Sequence, residues 1–192
     1  MQLRKYQTDT ITKTANSFRH GKQAPLIVLP TGAGKTVIFS EISKRAVQKN
    51  NNVLILVHRR ELIKQASQKL ANIKVPHGII AAGFKPSTHQ IQVASVQTIV
   101  RRLRSTSFKP ALIIIDEAHH SVAGSWKKVL DHFPNAKRIG VTATPCRLSG
   151  EGLREMFLML SKINCVSSLF SKFRPGPGLF LICLYFSNFQ SE

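Results

Sequence analysis

The chain has 192 residues, enough for one domain of ordinary size, or one with an appendage, and too few for two. Lys and Arg number 28 against nine Asp and Glu, a formal charge of +19 that is far beyond what solubility needs, so a polyanion is the expected partner, nucleic acid ahead of an anionic membrane surface. Cys146, Cys165 and Cys183 form no Cys-x-x-Cys pair, which argues against a zinc ribbon or a disulfide framework; with a polar stretch from Met1 to His20 in place of a secretory signal, a cytoplasmic protein is expected.

Leu3, Tyr6, Ile11 and Phe18 stand among polar residues in a loosely helical pattern, which predicts a helix from residue 3 to about 20. The apolar run Leu26-Ile27-Val28-Leu29 predicts a strand over 26–29, and Pro30-Thr31-Gly32-Ala33-Gly34-Lys35-Thr36 follows it directly. A glycine-rich turn between strand and helix lets backbone N–H groups close around phosphate oxygens. Lys35 brings them a positive charge, and the Thr36 hydroxyl can ligate Mg²⁺. A helix over about 35–49 follows, on which Lys44, Arg45 and Lys49 solvate the outer face. Next come a strand over 53–57, the segment His58-Arg59-Arg60-Glu61-Leu62, and a helix over about 60–71. Weaker strands near 78–82 and at 91–94 flank Phe84, an aromatic that could stack on a base. A helix over about 96–104 carries Arg101, Arg102 and Arg104, which either extend a basic track or only solvate that helix. The strand 111–115 runs into Asp116-Glu117-Ala118-His119; Trp126, at helical spacing with Val129 and Leu130, reads as core; a last strand covers 138–142.

This alternation predicts an α/β fold, a mainly parallel sheet with helices on both faces and ligands at the carboxyl ends of its strands. Both glycine-rich and acidic motifs fall at such ends, so ATP with Mg²⁺ is the expected ligand. Thr31, Gly32, Ala33, Gly34, Lys35 and Thr36 would surround the phosphates, and Thr36 and Asp116 would hold the metal. Glu117 would polarise the attacking water, which makes Lys35, Asp116 and Glu117 the catalytic candidates. Acidic residues favouring a helix dipole are the plain alternative for Asp116 and Glu117, and the P-loop upstream weighs against it. Asp116, His119 and His120 have no further ligand at useful spacing for a transition metal.

The position five before Gly34 is Leu29, so the general P-loop pattern is incompletely met. The Pro-Thr-Gly-x-Gly-Lys-Thr form instead resembles motif I of superfamily 2 helicases and translocases. Asp116-Glu117-Ala118-His119 resembles their motif II, Thr142-Ala143-Thr144 their motif III, and Leu3-Arg4-Lys5-Tyr6-Gln7 the glutamine motif of DNA-directed members. His58-Arg59-Arg60-Glu61-Leu62 resembles motif Ia, while Ala82-Gly83 and Ser95-Val96-Gln97-Thr98 look like later backbone-contacting segments. The resemblance implies a RecA-like P-loop NTPase domain in which Gln7, with Arg4 beside it, reads adenine. It implies contacts to a nucleic-acid backbone from Arg60, Gly83, Ser95, Gln97 and Thr98, and coupling of that track to ATP through His119, Thr142 and Thr144. The forms of the glutamine motif and motif Ia favour DNA over RNA. For Ser95, Gln97 and Thr98 the plain reading is loop and N-cap residues.

After residue 150 the composition changes: residues 161–192 carry only Lys162, Lys172, Arg174 and Glu192 as charges. A family domain over 1–160 and a non-family hydrophobic tail over 161–192, left by truncation or a frame change, are expected. The alternative is a native hairpin turning at Pro175-Gly176-Pro177-Gly178 and covering the sheet edge. The apolar run Leu179 to Phe186 is shorter than the roughly 20 residues a spanning helix needs, so no membrane partner is expected. Complete members of the family have a second RecA-like domain that closes over ATP. The expected function is therefore the ATP-hydrolysing domain of a DNA helicase or translocase, completed by a second helicase domain or subunit in trans. A noncatalytic nucleotide- and nucleic-acid-binding fragment is the alternative.

Overall fold

A computed structural model describes residues 2–22, 24–118, 124–143 and 181–183. In chain order they form α1 (Lys5–Arg19), β1 (Leu26–Val28), α2 (Lys35–Val47), β2 (Val53–Val57), α3 (Glu61–Asn72) and β3 (Gly78–Ile80). Then follow β4 (Ile91–Ser95), α4 (Val96–Arg102), β5 (Leu112–Asp116), α5 (Gly124–His132), β6 (Lys137–Thr142) and β7 (Leu181–Cys183). The strands lie in the order β3-β4-β2-β5-β6-β1-β7, and every pairing is parallel.

A parallel sheet is buried on both faces by its crossover helices, which is why β1, β2 and β5 as far as Ile115 are continuous apolar runs rather than alternations with polar residues. Val53, Ile55 and Val57 face a cluster with Ile11 of α1, Ile38 and Phe39 of α2 and Ile63 and Leu70 of α3. Leu54 and Leu56 face the opposite cluster, with Ile99 of α4 and Trp126, Val129 and Leu130 of α5. Trp126 is completely buried, as its helical spacing predicts.

The strand expected over 78–82 ends at Ile80, and Ala81 and Ala82 already belong to the turn that follows. Gly78 opens β3 because the next loop rests on it: a Cβ there would collide with the Ser87 hydroxyl and the Gln92 amide. Beside Ile11, the inward face of α1 carries buried polar residues. Thr10, Thr14 and Ser17 are buried, and each hydroxyl donates to the carbonyl one turn back, at 2.7, 2.8 and 3.0 Å. These small side chains let α1 pack closely on α2. Leu181–Cys183, from the hydrophobic C-terminal segment, pair in parallel with β1 at the edge of the sheet. Among the described residues no helix is long and apolar enough to cross a membrane.

Candidate nucleotide site and nucleic-acid rim

Strand order brings the motifs together. β6 lies between β1 and β5, with Thr142 beside Val28 and Val141 beside Asp116. The turn over 30–36, Thr142 and the pair Asp116-Glu117 therefore stand at neighbouring carboxyl ends, although more than a hundred positions separate the first from the second. The Leu29 N–H donates to the Thr142 carbonyl at 3.0 Å, which ties the start of the turn to the end of β6.

Gly32 and Gly34 take φ of 83° and 75°, the left-handed region where a Cβ is strained. Gly34 is the N-cap of α2, without a side-chain cap and without an acid in the first turn. The leading N–H groups of the helix are thus kept for an acceptor from outside, as an anion site requires. The Lys35 ammonium folds back across the turn and donates to the Leu29 carbonyl at 3.4 Å. Thr31 and Gly32 are exposed; Ala33 and Thr36 are half-buried.

From the other side α1 grips the turn. The Tyr6 hydroxyl donates to the Ala33 carbonyl at 2.9 Å. Gln7 is buried, its Oε1 accepts from the Arg4 N–H at 3.0 Å, and its Nε2 lies so near Gly34 that a Cβ there would come within 2.6 Å of it. Arg4 itself is exposed at the N-cap of α1. The loop-holding role of Tyr6 was not evident beforehand; its only signal was its place next to Gln7 in the same short motif.

Asp116 ends β5, and its Oδ1 accepts from the Glu117 N–H at 3.1 Å. Burial raises its pKa above the ordinary carboxylate value and the Glu117 charge adds to the rise, while Lys69, the Glu117 N–H and Lys35 pull it back. Glu117 takes φ of 51°, a strained setting for a residue with a side chain, costing on the order of 1 kcal/mol. It turns the chain out of the sheet immediately after Asp116. Among the described residues no trio of His, Cys, Asp or Glu is placed to hold a metal ion. A cation at this site would be held by the Asp116 carboxylate, the Thr36 hydroxyl and phosphate oxygens, a hard oxygen set of the kind Mg²⁺ takes. His119 and Thr144 lie outside the described residues.

The neighbouring strands β3, β4 and β2 form the rest of the rim. The Arg60 guanidinium is exposed and donates to the Ala82 carbonyl at 3.1 Å, joining the turn after β2 to the turn after β3. Gly83 has φ of 82° with nothing within 4 Å of a built Cβ, so it is a glycine for conformation and not for space. Ser95 requires a correction. It is fully buried and spent on capping α4, its Oγ accepting from the Thr98 N–H at 3.2 Å and sharing a 2.9 Å bond with the Thr98 hydroxyl, so it offers nothing to a ligand. Gln97 is exposed and Thr98 half-buried beside it.

Residues 1–147 match the family described as "Type III restriction enzyme, res subunit". A 51.5 kDa protein of a Lactococcus phage (isolate 7-9) is 37% identical over 152 residues, which cover 79% of this chain and 31% of the relative. IRC3 of Saccharomyces cerevisiae, provisionally named an ATP-dependent helicase, is 43% identical over 145 residues, covering 68% of this chain and 21% of the relative. The chain thus spans less than a third of the length of either relative. In fold it is similar to the UvsW helicase from bacteriophage T4, with a TM-score of 0.67 at 16% identity over 81% of this chain and 57% of that one.

Proposed function

The chain belongs to the family of type III restriction enzyme res subunits and forms a superfamily 2 N-terminal RecA-like domain, and we propose that it binds Mg-ATP and hydrolyses it when engaged on DNA. One observation carries this reading: β6 between β1 and β5, which sets Lys35 and the N-terminus of α2 opposite Asp116 and Glu117. Lys35 and the free N–H groups of α2 hold the phosphates. Gln7, seated against Gly34 through the grip of Tyr6 on Ala33, reads the adenine. Thr36 and Asp116 hold Mg²⁺, which when bound neutralises charge on the transferring phosphoryl oxygens. Burial beside Glu117 leaves Asp116 in want of a cation. Glu117 accepts the proton of the attacking water. Thr142, between the two halves of the site, carries the signal onward with His119 and Thr144.

DNA as partner is supported by the restriction-enzyme family, by the charge of +19 and by a chain with no Asp or Glu between Glu61 and Asp116. Arg60, Gly83, Gln97 and Thr98 would track its phosphates, a grip that positions a strand without reading its sequence. Directional movement needs a second RecA-like domain closing on the same ATP, from this protein's own longer chain or from another. Binding of a fluorescent ATP analogue with Mg²⁺ tests the core of the proposal. Lys35→Ala removes a charge-assisted hydrogen bond worth about 1.5–3 kcal/mol and should weaken binding by roughly ten- to a hundredfold; equal affinity in the two proteins would refute the phosphate site.

A further inference from the structure

Along the β3 edge of the sheet a cavity of about 490 Å³ opens between the loop joining β3 to β4 and the segment after α4. Asn52, just ahead of β2, Gln92, near the start of β4, and Ile79 and Ile80, at the end of β3, line it, so it runs along the β3 edge of the sheet, away from β5, β6 and β1, whose carboxyl ends carry the ATP site. Its volume is that of a small-molecule site.

The walls have a defined chemistry. Phe84 and Phe108 supply aromatic surface, and Phe84, 40% exposed, is the one large hydrophobic side chain left open among the described residues. Arg102 lines the cavity half-buried, and its guanidinium has no hydrogen-bond or ion-pair partner among them. The lack of any Asp or Glu between Glu61 and Asp116 means that no acid on β3, β4, α4 or their loops neutralises it. Thr88 and Ser107 add hydroxyl donors, while the Ser87 hydroxyl is bonded to Gln92 Nε2 and His89 Nδ1, each at 3.1 Å. The loop wall is tied down. Gln92, 2% exposed, donates from Nε2 to the carbonyls of Ser87 at 3.0 Å and His89 at 2.8 Å, and Gly78 leaves the space that this tie occupies.

An aromatic face, an unpaired guanidinium and hydroxyl donors without a carboxylate suit a planar base joined to a phosphate. We propose that this cavity takes one nucleotide unit, its base against Phe84 and its phosphate on Arg102. Phe84 follows Gly83 directly, and Arg60 is bonded to Ala82 next to it, so a strand crossing the rim reaches the mouth of the cavity. For this strand-borne source the inference rests on the DNA reading above; a free mononucleotide has the same chemistry and does not need it.

The test uses the whole chain, with Phe84→Ala and Arg102→Gln made singly and their folding checked by thermal melts. Three probes are titrated: a single-stranded oligothymidylate, the same oligonucleotide with abasic sites, and thymidine monophosphate, the last also against Lys35→Ala to set aside the P-loop. With a base stack worth about 1–3 kcal/mol, each variant should bind the oligothymidylate roughly five- to a hundredfold more weakly. Removing the bases should weaken wild type in the same range and leave Phe84→Ala nearly unchanged, while ATP-analogue binding stays as in wild type. Thymidine monophosphate binding that survives Lys35→Ala and is lost in Arg102→Gln, with the oligonucleotide unaffected, assigns the cavity to a free nucleotide. If wild type binds the oligonucleotide and both variants match it on all three probes, the cavity proposal is overturned and the DNA reading stands. If wild type binds no oligonucleotide, the DNA reading falls, and the cavity stands only on Arg102-dependent binding of the mononucleotide; binding of neither probe overturns both.

Discussion

The two halves of the carboxyl-end rim are made by the same device, parallel strands that end in turns, yet they differ in their acids and in how their turns are braced. On the half formed by β5, β6 and β1 two successive carboxylates sit beside a strained, glycine-built phosphate turn that Tyr6 and Gln7 brace from behind. On the half formed by β3, β4 and β2 the turns after β3 and β4 carry no carboxylate, and after β2 Glu61 opens α3 next to an exposed Arg60; Arg60 and ordinary helix capping by Ser95 do the work. The difference separates two kinds of anion recognition. Where two successive carboxylates flank the phosphate turn, an anion is accepted only with a metal cation and in one geometry; where an exposed guanidinium leads, phosphate binds directly and with tolerance.

Breaking the acidic half should have the largest effect. Glu117→Gln keeps the shape and removes the base, so DNA-stimulated turnover should fall by about 10²–10⁴ while binding of an ATP analogue stays the same. Measured rates within a factor of two of wild type would remove Glu117 from the chemistry. Gly34→Ala attacks the brace: it adds a Cβ at φ of 75° and within 2.6 Å of the Gln7 amide, which should cost roughly 1–3 kcal/mol in denaturant unfolding and weaken ATP-analogue binding.

On the half led by Arg60 the expected losses are smaller and shared among several residues. Nucleic-acid affinity should fall steeply with salt, and Arg60→Ala should lower the magnitude of the log–log slope by about one without altering ATP-analogue binding. A slope that does not move would show that Arg60 only ties its own turn to Ala82. The smallest effect sharpens the contrast from the acidic side. Because burial and Glu117 raise the folded-state pKa of Asp116, the folded protein keeps a proton that the unfolded chain has released. Metal-free stability therefore falls as pH rises from the unfolded value of about 3.8 through the raised one. At neutral pH with EDTA, Asp116→Asn should be more stable by on the order of 1 kcal/mol, and that variant should lose the further stabilisation that Mg-ATP gives wild type. A neutral or lower melting temperature would contradict the burial account.

Much of this domain was legible along the chain because its demands are local. Left-handed backbone at Gly32 and Gly34 calls for glycine, an anion at a helix start calls for Lys35 beside it, and strands buried on both faces call for unbroken apolar runs such as Leu54-Ile55-Leu56 and Ile113-Ile114-Ile115. Element positions therefore came out within a few residues, while their ends, such as the stop of β3 at Ile80, depended on where the next loop packs. The relations between elements were decided only in three dimensions. Strands that are apolar on both faces carry no mark of their neighbours, so nothing local says that β6 lies between β1 and β5, or that Gln7 closes on Gly34. Burial of Ser95 and the cavity between Phe84 and Arg102 follow from how whole helices settle on the sheet. Strand order is selected by the summed packing of distant segments, and no short stretch of sequence holds that sum.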